Sequence, residues 1–397
     1  MKANMKKIMK KTSTILLLLL CGLFFSGCFD PIFFEIRNDV EPEEATVSGV
    51  IQQIVRFSSG EKEYLLCIAD QGLVYKDASD ENHGSWNSFS LPFDRLTFDY
   101  YGNGFSGEMP IALAANESNI YLASLEMTYN SDSGTNDPSK LIVRTTSSIN
   151  GSWTEVYSDT SECFSTNSYY GYKNIDFNLF CTNSPAKNHR FAYMRVNSDT
   201  LYKLTSSSKE KVESGNTCQD TKATQNWNSA VFYKDSDSVL FFNTTAVATN
   251  ETSSKSPTVV YYGDDEDLYY STSLESPAFA KILDAGSTIR SLAYTSDALL
   301  IGRGSTTTGY GGITKVSLNA SGVPSSSLSS FSTNASYQLS SSYLVLALLN
   351  ATPQKSETSS ILYGSTSVAT AGTSSNVSYK NVGLWSYYPS RGNWNRE

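Results

Sequence analysis

The chain has 397 residues, of which 40% are hydrophobic and 12% aromatic, enough for one large core or two ordinary ones, which excludes disorder of the whole chain. Its formal net charge is −9, and residues 1–27 hold five lysines and no acidic residue, so the remainder carries −14. A surface this acidic excludes nucleic acid and electrostatic binding to anionic lipid. Tyrosine, serine, threonine, asparagine and glycine are abundant, which predicts an all-β protein.

The first 28 residues have the layout of a bacterial export signal. Five lysines precede an apolar run, Ile15–Phe25, that is too short for a normal transmembrane helix. The sequence Phe25-Ser26-Gly27-Cys28 resembles a bacterial lipobox in the looser form known from spirochaetal lipoproteins, since Phe25 replaces the usual leucine. The resemblance implies that residues 1–27 are a lipoprotein signal peptide and that Cys28 becomes the lipidated first residue. The alternative is ordinary signal cleavage that leaves Cys28 unmodified.

Residues 28–47 are expected to form a tether between the lipid and a folded domain at 48–397. The tether is first apolar and then acidic and proline-bearing, and its apolar part, Asp30–Phe34, is expected to pack partly on the domain. Because the acidic surface offers no attraction to a membrane, the lipid is the expected attachment. We therefore expect an exported protein held on the cell envelope, with the outer membrane as the expected location.

Period-2 runs separated by turn residues fill the rest of the chain. Three runs, Val50–Phe57, Glu63–Asp70 and Gly72–Asp77, lead into the Gly-Ser-Trp that ends at Trp86, which predicts a set of four strands. The same order recurs before Trp153, with runs at 110–116, 119–127 and 140–147. The Gly-Ser-Trp sequence therefore marks the entry to the fourth strand of a repeat.

The spacing of these markers predicts the number of repeats. Trp86 and Trp153 are 67 residues apart, Phe279 takes the same position 126 residues later, and Trp394 follows after another 115. With two repeats in each long interval the chain contains six four-stranded units, or seven if one weakly marked unit is missed. Such repeats are typical of a β-propeller. The glycine is expected to allow a turn with positive φ, and the aromatic residue to cover its blade against the neighbouring blade.

Two resemblances bear on this pattern. The turns Ser147–Thr154 and Tyr270–Phe279 loosely resemble the Asp-box turns of sialidase-like propellers, but a single residue separates Gly151 from Trp153 and Asn150 stands at the aspartate position, so only the fold is implied. At the level of the whole chain, the lipobox, the opening "FDPIFFEIRNDVEPEEATVSG" and the propeller pattern are similar to a family of treponemal lipoproteins. That resemblance implies a lipid-anchored envelope protein, and some members of the family are surface adhesins for host fibronectin.

Residues suited to catalysis are few. The two histidines, His83 and His189, lie in polar segments typical of solvated side chains, and no Gly-x-Ser-x-Gly nucleophile elbow occurs. Asp264, Asp265 and Asp267 could offer oxygens to Ca²⁺, but their spacing fits no standard calcium loop, so a solvated acidic turn is expected. The sequence therefore predicts no catalytic residue, no metal and no cofactor.

Four cysteines remain once Cys21 leaves with the signal and Cys28 takes the lipid: Cys67, Cys163, Cys181 and Cys218. Cys67 lies in an apolar strand and is expected to be a buried thiol. In an oxidising compartment the others can pair. Cys163 and Cys218 fall at equivalent entries to adjacent units and form the expected disulfide, with Cys163–Cys181 as the alternative.

Long connections rich in tyrosine, serine, asparagine and glycine are the remaining functional signal. Residues 98–108 and 162–174 carry five tyrosines: Tyr100, Tyr101, Tyr169, Tyr170 and Tyr172. Their composition is typical of adaptable protein-binding surfaces, since tyrosine offers a large contact area at low entropy cost. We expect these tyrosines to contact a ligand. The alternative is that the connections that carry them are merely polar turns of a secreted β protein.

Two functions from different classes remain open. The first is a monomeric, non-enzymatic binding propeller on the cell envelope, with a protein or extracellular-matrix ligand. The second is a glycan hydrolase of the sialidase-like propeller type, in which acids from several blades would meet at the central channel.

Overall fold

The computed structural model describes residues 45–397, which belong to one compact unit, Ala45–Glu397. Gaps in the description fall at 61, 71, 81, 83, 94–96, 100–103, 117, 131–134, 162–163, 167–172, 176, 182–191, 197–199, 212–217, 221–230, 236–237, 243–246, 250–258, 273–277, 296, 305–310, 332–342, 352–360, 369–381 and 389–392. All regular structure in the described residues is β-strand. No helix long and apolar enough to cross a membrane occurs among them.

Of thirty strands in the described residues, 28 build seven successive antiparallel sheets of three to five strands, and the other two form a hairpin. The first three sheets contain β1(Ile54–Ser59), β2(Lys62–Ala69), β3(Gly72–Asp77) and β4(Asn87–Phe89); β5(Thr97–Asp99), β6(Gly104–Ala115), β7(Ile120–Asn130), β8(Thr135–Thr146) and β9(Thr154–Asp159); and, after the hairpin β10(Phe164–Thr166) and β11(Lys173–Ile175), β12(Phe177–Cys181), β13(Ala192–Val196), β14(Thr200–Leu204) and β15(Lys209–Lys211).

The remaining four sheets follow in the same sequential order. They contain β16(Cys218–Asp220), β17(Val231–Asp235) and β18(Ser238–Phe242); β19(Val247–Thr249), β20(Val260–Asp264), β21(Asp267–Ser271) and β22(Ala280–Asp284); β23(Ile289–Tyr294), β24(Ala298–Gly304), β25(Gly311–Leu318) and β26(Pro324–Ser330); and β27(Tyr343–Ala351), β28(Ile361–Val368), β29(Gly383–Tyr388) and β30(Asn393–Arg396).

The sheets are the blades of a β-propeller. Strands that lead their blades contact one another, as in β1 with β6, β6 with β12, β19 with β23 and β23 with β27, and β27 returns to β1. These strands therefore surround the centre, and the ring closes between the last blade and the first. The predicted all-β propeller is confirmed, and the seven blades in the described residues match the upper of the two predicted counts.

Hydrophobic cores lie between neighbouring blades, because each inner blade face packs on the next. One core joins blades 1 and 2 through side chains such as Phe57 and Leu122, another joins blades 2 and 3, and two more join blades 5 to 6 and 6 to 7. The fifth joins blade 7 to blade 1 and includes Cys67 and Tyr363, both fully buried. Strand β1 shows the reason for period 2: Val55 faces blade 2, whereas Ile54 packs toward blade 7.

The marker tryptophans contact the preceding blade, as expected. The Trp86 ring meets Tyr363 of blade 7 edge-on at 6.2 Å, and Trp153 stacks on Phe89 of blade 1 at 5.8 Å. Trp394 meets Phe331, which follows the last strand of blade 6, at 6.4 Å. Each tryptophan therefore covers the flank between two blades and has a structural role.

The role expected for the marker glycine holds in one turn and differs in the other. Gly84 has φ +71°, but before Trp153 the positive φ of +64° belongs to Asn150, which tolerates this conformation better than most residues. A Cβ on Gly151 would lie 2.6 Å from the hydroxyl oxygens of Ser148 and Thr146. Glycine is thus required at 151 by close packing and not by its backbone angle.

The interval between Trp153 and Phe279 holds three blades, so the expectation of two repeats in it is wrong. Blades 3, 4 and 5 share these 126 residues because their strands are short, mostly of three to five residues. The missed blade consists of β16, β17 and β18, and it has no aromatic marker at the entry to a fourth strand. The interval from Phe279 to Trp394 contains two blades, as predicted.

Candidate binding face

The five tyrosines expected to bind a ligand lie outside the described residues, but the strands beside them are described. Tyr100 and Tyr101 fall between β5 and β6, and Tyr169, Tyr170 and Tyr172 fall between β10 and β11. Both segments are connected to blade 2 or to the hairpin that directly follows it. The first segment therefore starts and ends on strands of blade 2, and the second on the hairpin that follows this blade.

Blade 2 has the longest strands in the described part of the chain. Strands β6 and β8 have 12 residues and β7 has 11, whereas the next longest, β27, has nine. The outer strand β9 pairs only with Leu141–Thr145 of β8. Residues Thr135–Lys140 therefore continue past the end of β9, and the inner strands extend at one end of the blade.

The pairing register brings several strand ends together at this extended end. Asn130, at the end of β7, pairs with Thr135, and Gly107, near the start of β6, pairs with Met127. Strand β5 ends opposite the start of β6, with Asp99 paired to Gly104. Because β9 is antiparallel to β8, it also runs toward this end before the chain enters β10. The strands that flank the first tyrosine-bearing segment thus meet at the extended end of blade 2, and the chain that leads to the second segment leaves β9 at this end.

The hairpin of β10 and β11 packs on the side of blade 2 that faces blade 3. Phe164 and Ile175, which pair across the hairpin, both contact the core that contains Leu125 and Leu141 of blade 2. Leu141 is fully buried and Leu125 is 4% exposed. The hairpin is therefore positioned by apolar side chains of the long strands.

The other face of blade 2, away from this hairpin, carries a charged cluster made of Glu108, Ser124 and Arg144. The Arg144 guanidinium donates to both Glu108 oxygens, at 2.5 and 2.8 Å, and to Ser124 Oγ at 3.1 Å. Ser124 Oγ also donates to Glu108 at 2.7 Å. The guanidinium lies 5.4 Å from the ring centre of Phe93, in the connection that leads to β5. Three strands and the entry to the β5–β6 hairpin are thereby joined by one cluster.

This cluster keeps Glu108 ionised. Burial raises the pKa of Glu108, but its hydrogen bonds with Arg144 and Ser124 and the charges of Arg144 and Lys140 outweigh burial, so the net pKa lies below its ordinary value of 4.5. A carboxyl group held as the anion cannot serve as a general acid near neutral pH. The cluster is therefore suited to holding the blade end in shape or to presenting charge, and not to acid catalysis.

The Glu108→Gln variant is expected to lose part of the acid sensitivity of the fold. Because the folded-state pKa is lowered, the carboxylate contributes stability above pH 4.5 that is lost as pH falls through the folded pKa. The variant should melt below the wild type at pH 7, and the two melting temperatures should converge toward pH 3. Thermal unfolding between pH 7 and pH 3 measures this, with Glu155→Gln, at an exposed position of the same blade, as control. Parallel wild-type and E108Q curves would contradict the assignment.

The inner strands carry few acids of the kind that a central hydrolase site would need. In the described leading strands β1, β6, β12, β16, β19, β23 and β27, the acidic residues are Glu108 and Asp220. Glu108 is held by Arg144. Glycosidases use a pair of carboxyl groups with separate roles. The acidic residues of these strands are therefore one that is already paired, Glu108, and Asp220 on the three-residue strand β16.

The acidic run at 264–267 forms a tight hairpin turn. Asp264 pairs with Asp267, Asp265 has φ +49°, and its carbonyl accepts the Ile289 amide at 2.6 Å. Asp267 is bound by Lys281 at 2.6 Å. No group of acids, histidines or cysteines suited to a metal occurs among the described residues. The turn therefore connects blade 5 to the start of blade 6.

The cysteine and histidine predictions are covered only in part. Cys67 is buried, as predicted, and burial followed by the charge of Glu397 raises its thiol pKa. Cys28, Cys163, His83 and His189 lie outside the described residues. Cys218 begins β16 and Cys181 ends β12. The disulfide and the lipidation therefore remain predictions.

Sequence reasoning missed a buried ion pair that closes the ring. Lys76 Nζ lies 3.1 Å from a Glu397 carboxylate oxygen, and both side chains are fully buried. The same carboxylate accepts the Trp86 indole N–H at 2.7 Å and the Gly84 amide at 3.0 Å. Burial lowers the pKa of Lys76, and Glu397 opposes that shift. A lysine among the apolar residues of "GLVYKD" was a visible signal, but its partner is 321 residues away.

No protein-family model matches the chain, and no curated protein sequence matches it. Solved structures do match. An uncharacterized protein from Listeria monocytogenes is 11% identical, with 88% of this chain and 97% of that chain covered and a TM-score of 0.40. Sqt1 from Saccharomyces cerevisiae is 6% identical, with coverages of 89% and 86% and a TM-score of 0.35. A xylan β-1,4-xylosidase from Bacillus halodurans is 15% identical, with coverages of 72% and 56% and a TM-score of 0.30. The chain thus spans little more than half of that xylosidase.

Proposed function

We propose that the protein is a lipid-anchored, monomeric binding propeller of the bacterial cell envelope, without enzymatic activity. Its ligand is a protein or another macromolecule, with host extracellular matrix as the first class to test. The ligand contacts this protein at the extended end of blade 2 and through the tyrosines of the two connections, Tyr100, Tyr101, Tyr169, Tyr170 and Tyr172.

The observation that supports this proposal is the convergence of strand ends at blade 2. The strands that flank the first tyrosine-bearing segment meet at the extended end of the longest blade, and β9 runs toward the same end before the hairpin that carries the second segment. The β10–β11 hairpin is packed on one side of that blade, and the Arg144 cluster holds the other side against Phe93. Binding surfaces gain affinity when a rigid scaffold holds their aromatic residues. Blade 2 has the properties of such a scaffold.

The Tyr100→Ala/Tyr101→Ala double variant is expected to weaken binding to an immobilised matrix protein at least tenfold. Truncating central aromatic residues of an interface typically costs about 2 kcal/mol or more, which corresponds to roughly 30-fold in Kd. The probe is fibronectin, with laminin and collagen beside it, measured by surface plasmon resonance. Ser147→Ala, at the exposed turn between β8 and β9 on the opposite end of blade 2, is the control. Equal binding by both variants would remove the tyrosines from the interface.

The Cys28→Ser variant is expected to abolish lipid labelling. The lipid is the proposed membrane attachment, since the acidic surface gives no alternative attraction. Cells fed a labelled fatty acid should show label on the wild-type protein and none on C28S, which should also leave the membrane fraction. Absence of label on the wild type would remove the lipoprotein assignment.

Exposure on the cell separates the adhesin role from a role inside the envelope. Intact cells are treated with proteinase K, and a known periplasmic protein serves as control. Degradation of this protein while the control survives supports contact with host ligands. Protection of both would contradict the surface role, and release of product from aryl glycosides by the purified protein would contradict the non-enzymatic one.

A further inference from the structure

The contact between blade 7 and blade 1 is here called the closing seam. It contains buried polar side-chain atoms that have no hydrogen-bond partner among the described residues. Four side-chain atoms are buried and have no hydrogen-bond partner among the described residues: Glu63 Oε2, Tyr363 Oη, Ser386 Oγ and Asn395 Nδ2. Tyr363 and Ser386 are fully buried, and Glu63 is 9% exposed. Polar groups in such positions normally have a partner, because leaving them unpaired is costly.

The strand register places three of these groups in one row. Tyr363 on β28 pairs with Ser386 on β29, and Ser386 pairs with Asn395 on β30. Their neighbours Leu362 and Trp394 face blade 6. Since side chains alternate along a strand, the row faces blade 1. Blade 1 meets this face through Arg56, whose guanidinium donates to Glu63 Oε1 at 2.8 Å and to the Asn350 carbonyl of blade 7 at 2.6 Å.

Charges around this row identify the kind of group that fits there. Arg56 is paired with Glu63 and Lys76 with Glu397, so each of these buried charges has its counter-ion. Asp80, which also acts on Lys76 and Tyr363, is only partly buried. Arg56 and Glu397 are both close enough to act electrostatically on the Tyr363 hydroxyl. An added ion would leave an uncompensated charge in a buried place, which is strongly unfavourable. The partner must therefore be neutral, small, and able both to donate and to accept hydrogen bonds.

We propose that the closing seam binds ordered internal water, which accepts a hydrogen bond from Tyr363 and donates one to Glu63 Oε2. Ser386 and Asn395 extend this water site along the row. Buried waters typically bridge about three otherwise unpaired polar groups, and this row supplies that number. Blades 7 and 1 are then joined by bridging water as well as by the Lys76–Glu397 pair.

The seam also receives the chain that enters the domain. The Val47 amide donates to the Glu397 carbonyl at 3.2 Å, and the Ile51 amide donates to Ser365 Oγ at 3.2 Å. Val47 and Ile51 are fully buried. The proposed water therefore lies in the contact that closes the ring and anchors the entering chain, and this inference does not depend on which ligand the protein binds.

Two measurements on the full chain test the proposal. A crystal structure at about 1.8 Å resolution should show water within hydrogen-bond distance of Tyr363 Oη and Glu63 Oε2. The Tyr363→Phe variant should lower the Tm by about 2 °C. Tyr121→Phe is the matched control, since Tyr121 is fully buried and its hydroxyl has a direct partner, Asn116 Nδ2, at 3.3 Å.

Three results would overturn the water site. The first is a seam in which Tyr363 and Glu63 contact only protein atoms. The second is density for an ion at that position, identified by its anomalous signal. The third is a Tyr363→Phe variant whose Tm equals or exceeds that of the wild type while Tyr121→Phe lowers it, because removing an unpaired buried hydroxyl relieves a cost.

Discussion

Replacing Lys76 by methionine is expected to lower the free energy of unfolding by about 3–5 kcal/mol. The lysine and its partner Glu397 are fully buried, and Glu397 is further held by Trp86 and Gly84. Methionine keeps most of the volume but leaves the Glu397 carboxylate without its counter-ion in a low-dielectric place. The loss is large because an unpaired buried charge is far less stable than a paired one.

Chemical unfolding followed by tryptophan fluorescence measures this effect, and the chain offers a matched control. Lys281 also pairs with an acid, Asp267 at 2.6 Å, but half of its side chain is exposed, so Lys281→Met should change stability little. The double variant Lys76→Met/Glu397→Leu should regain much of the loss, since it removes both charges. Equal losses in K76M and K281M would show that burial of the first pair does not decide its contribution.

Replacing Gly311 by alanine is expected to cost about 3 kcal/mol, the upper end of the usual range for overpacking. A Cβ at Gly311 on β25 would overlap the carbonyl oxygen of Tyr343 on β27. Two glycines of β24 are crowded by β27 in a similar way: Gly302 approaches Val345, and Gly304 approaches Leu344. Blades 6 and 7 are therefore packed backbone against backbone here. A backbone carbonyl cannot change rotamer to make room, so the strand itself must move.

The control for Gly311 separates crowding from backbone conformation. Gly60 has φ +63° and no atom within 4 Å of a Cβ built on it, so Gly60→Ala tests the backbone angle alone and should cost about 1–2 kcal/mol. Both variants are compared by urea unfolding. A Gly311→Ala variant no less stable than Gly60→Ala would mean that blade 7 moves away from blade 6 without much loss of contact.

The sequence by itself determined the class of the fold and much of its strand order. Period-2 runs and the Gly-Ser-Trp markers are local signals, and they correctly located all four strands of blade 1 and the main strands of blade 2. The tryptophans at 86, 153 and 394 were correctly assigned to the contacts between blades. An aromatic residue directly after a tight turn at the edge of a blade can be buried only against the neighbouring blade. Its position is therefore predictable from the residues next to it in the sequence.

The tertiary structure alone decided the features that depend on distant partners. Three blades share the interval after Trp153 because strands of three to five residues suffice once both faces are covered by neighbours, which spacing does not reveal. Lys76 meets Glu397 only when the ring closes, and Arg144 meets Glu108 only when β6, β7 and β8 pair in their observed register. Local sequence patterns carry information about which face of a strand is apolar. Which strand ends meet, and which charges become buried together, is decided by packing between segments far apart in the chain.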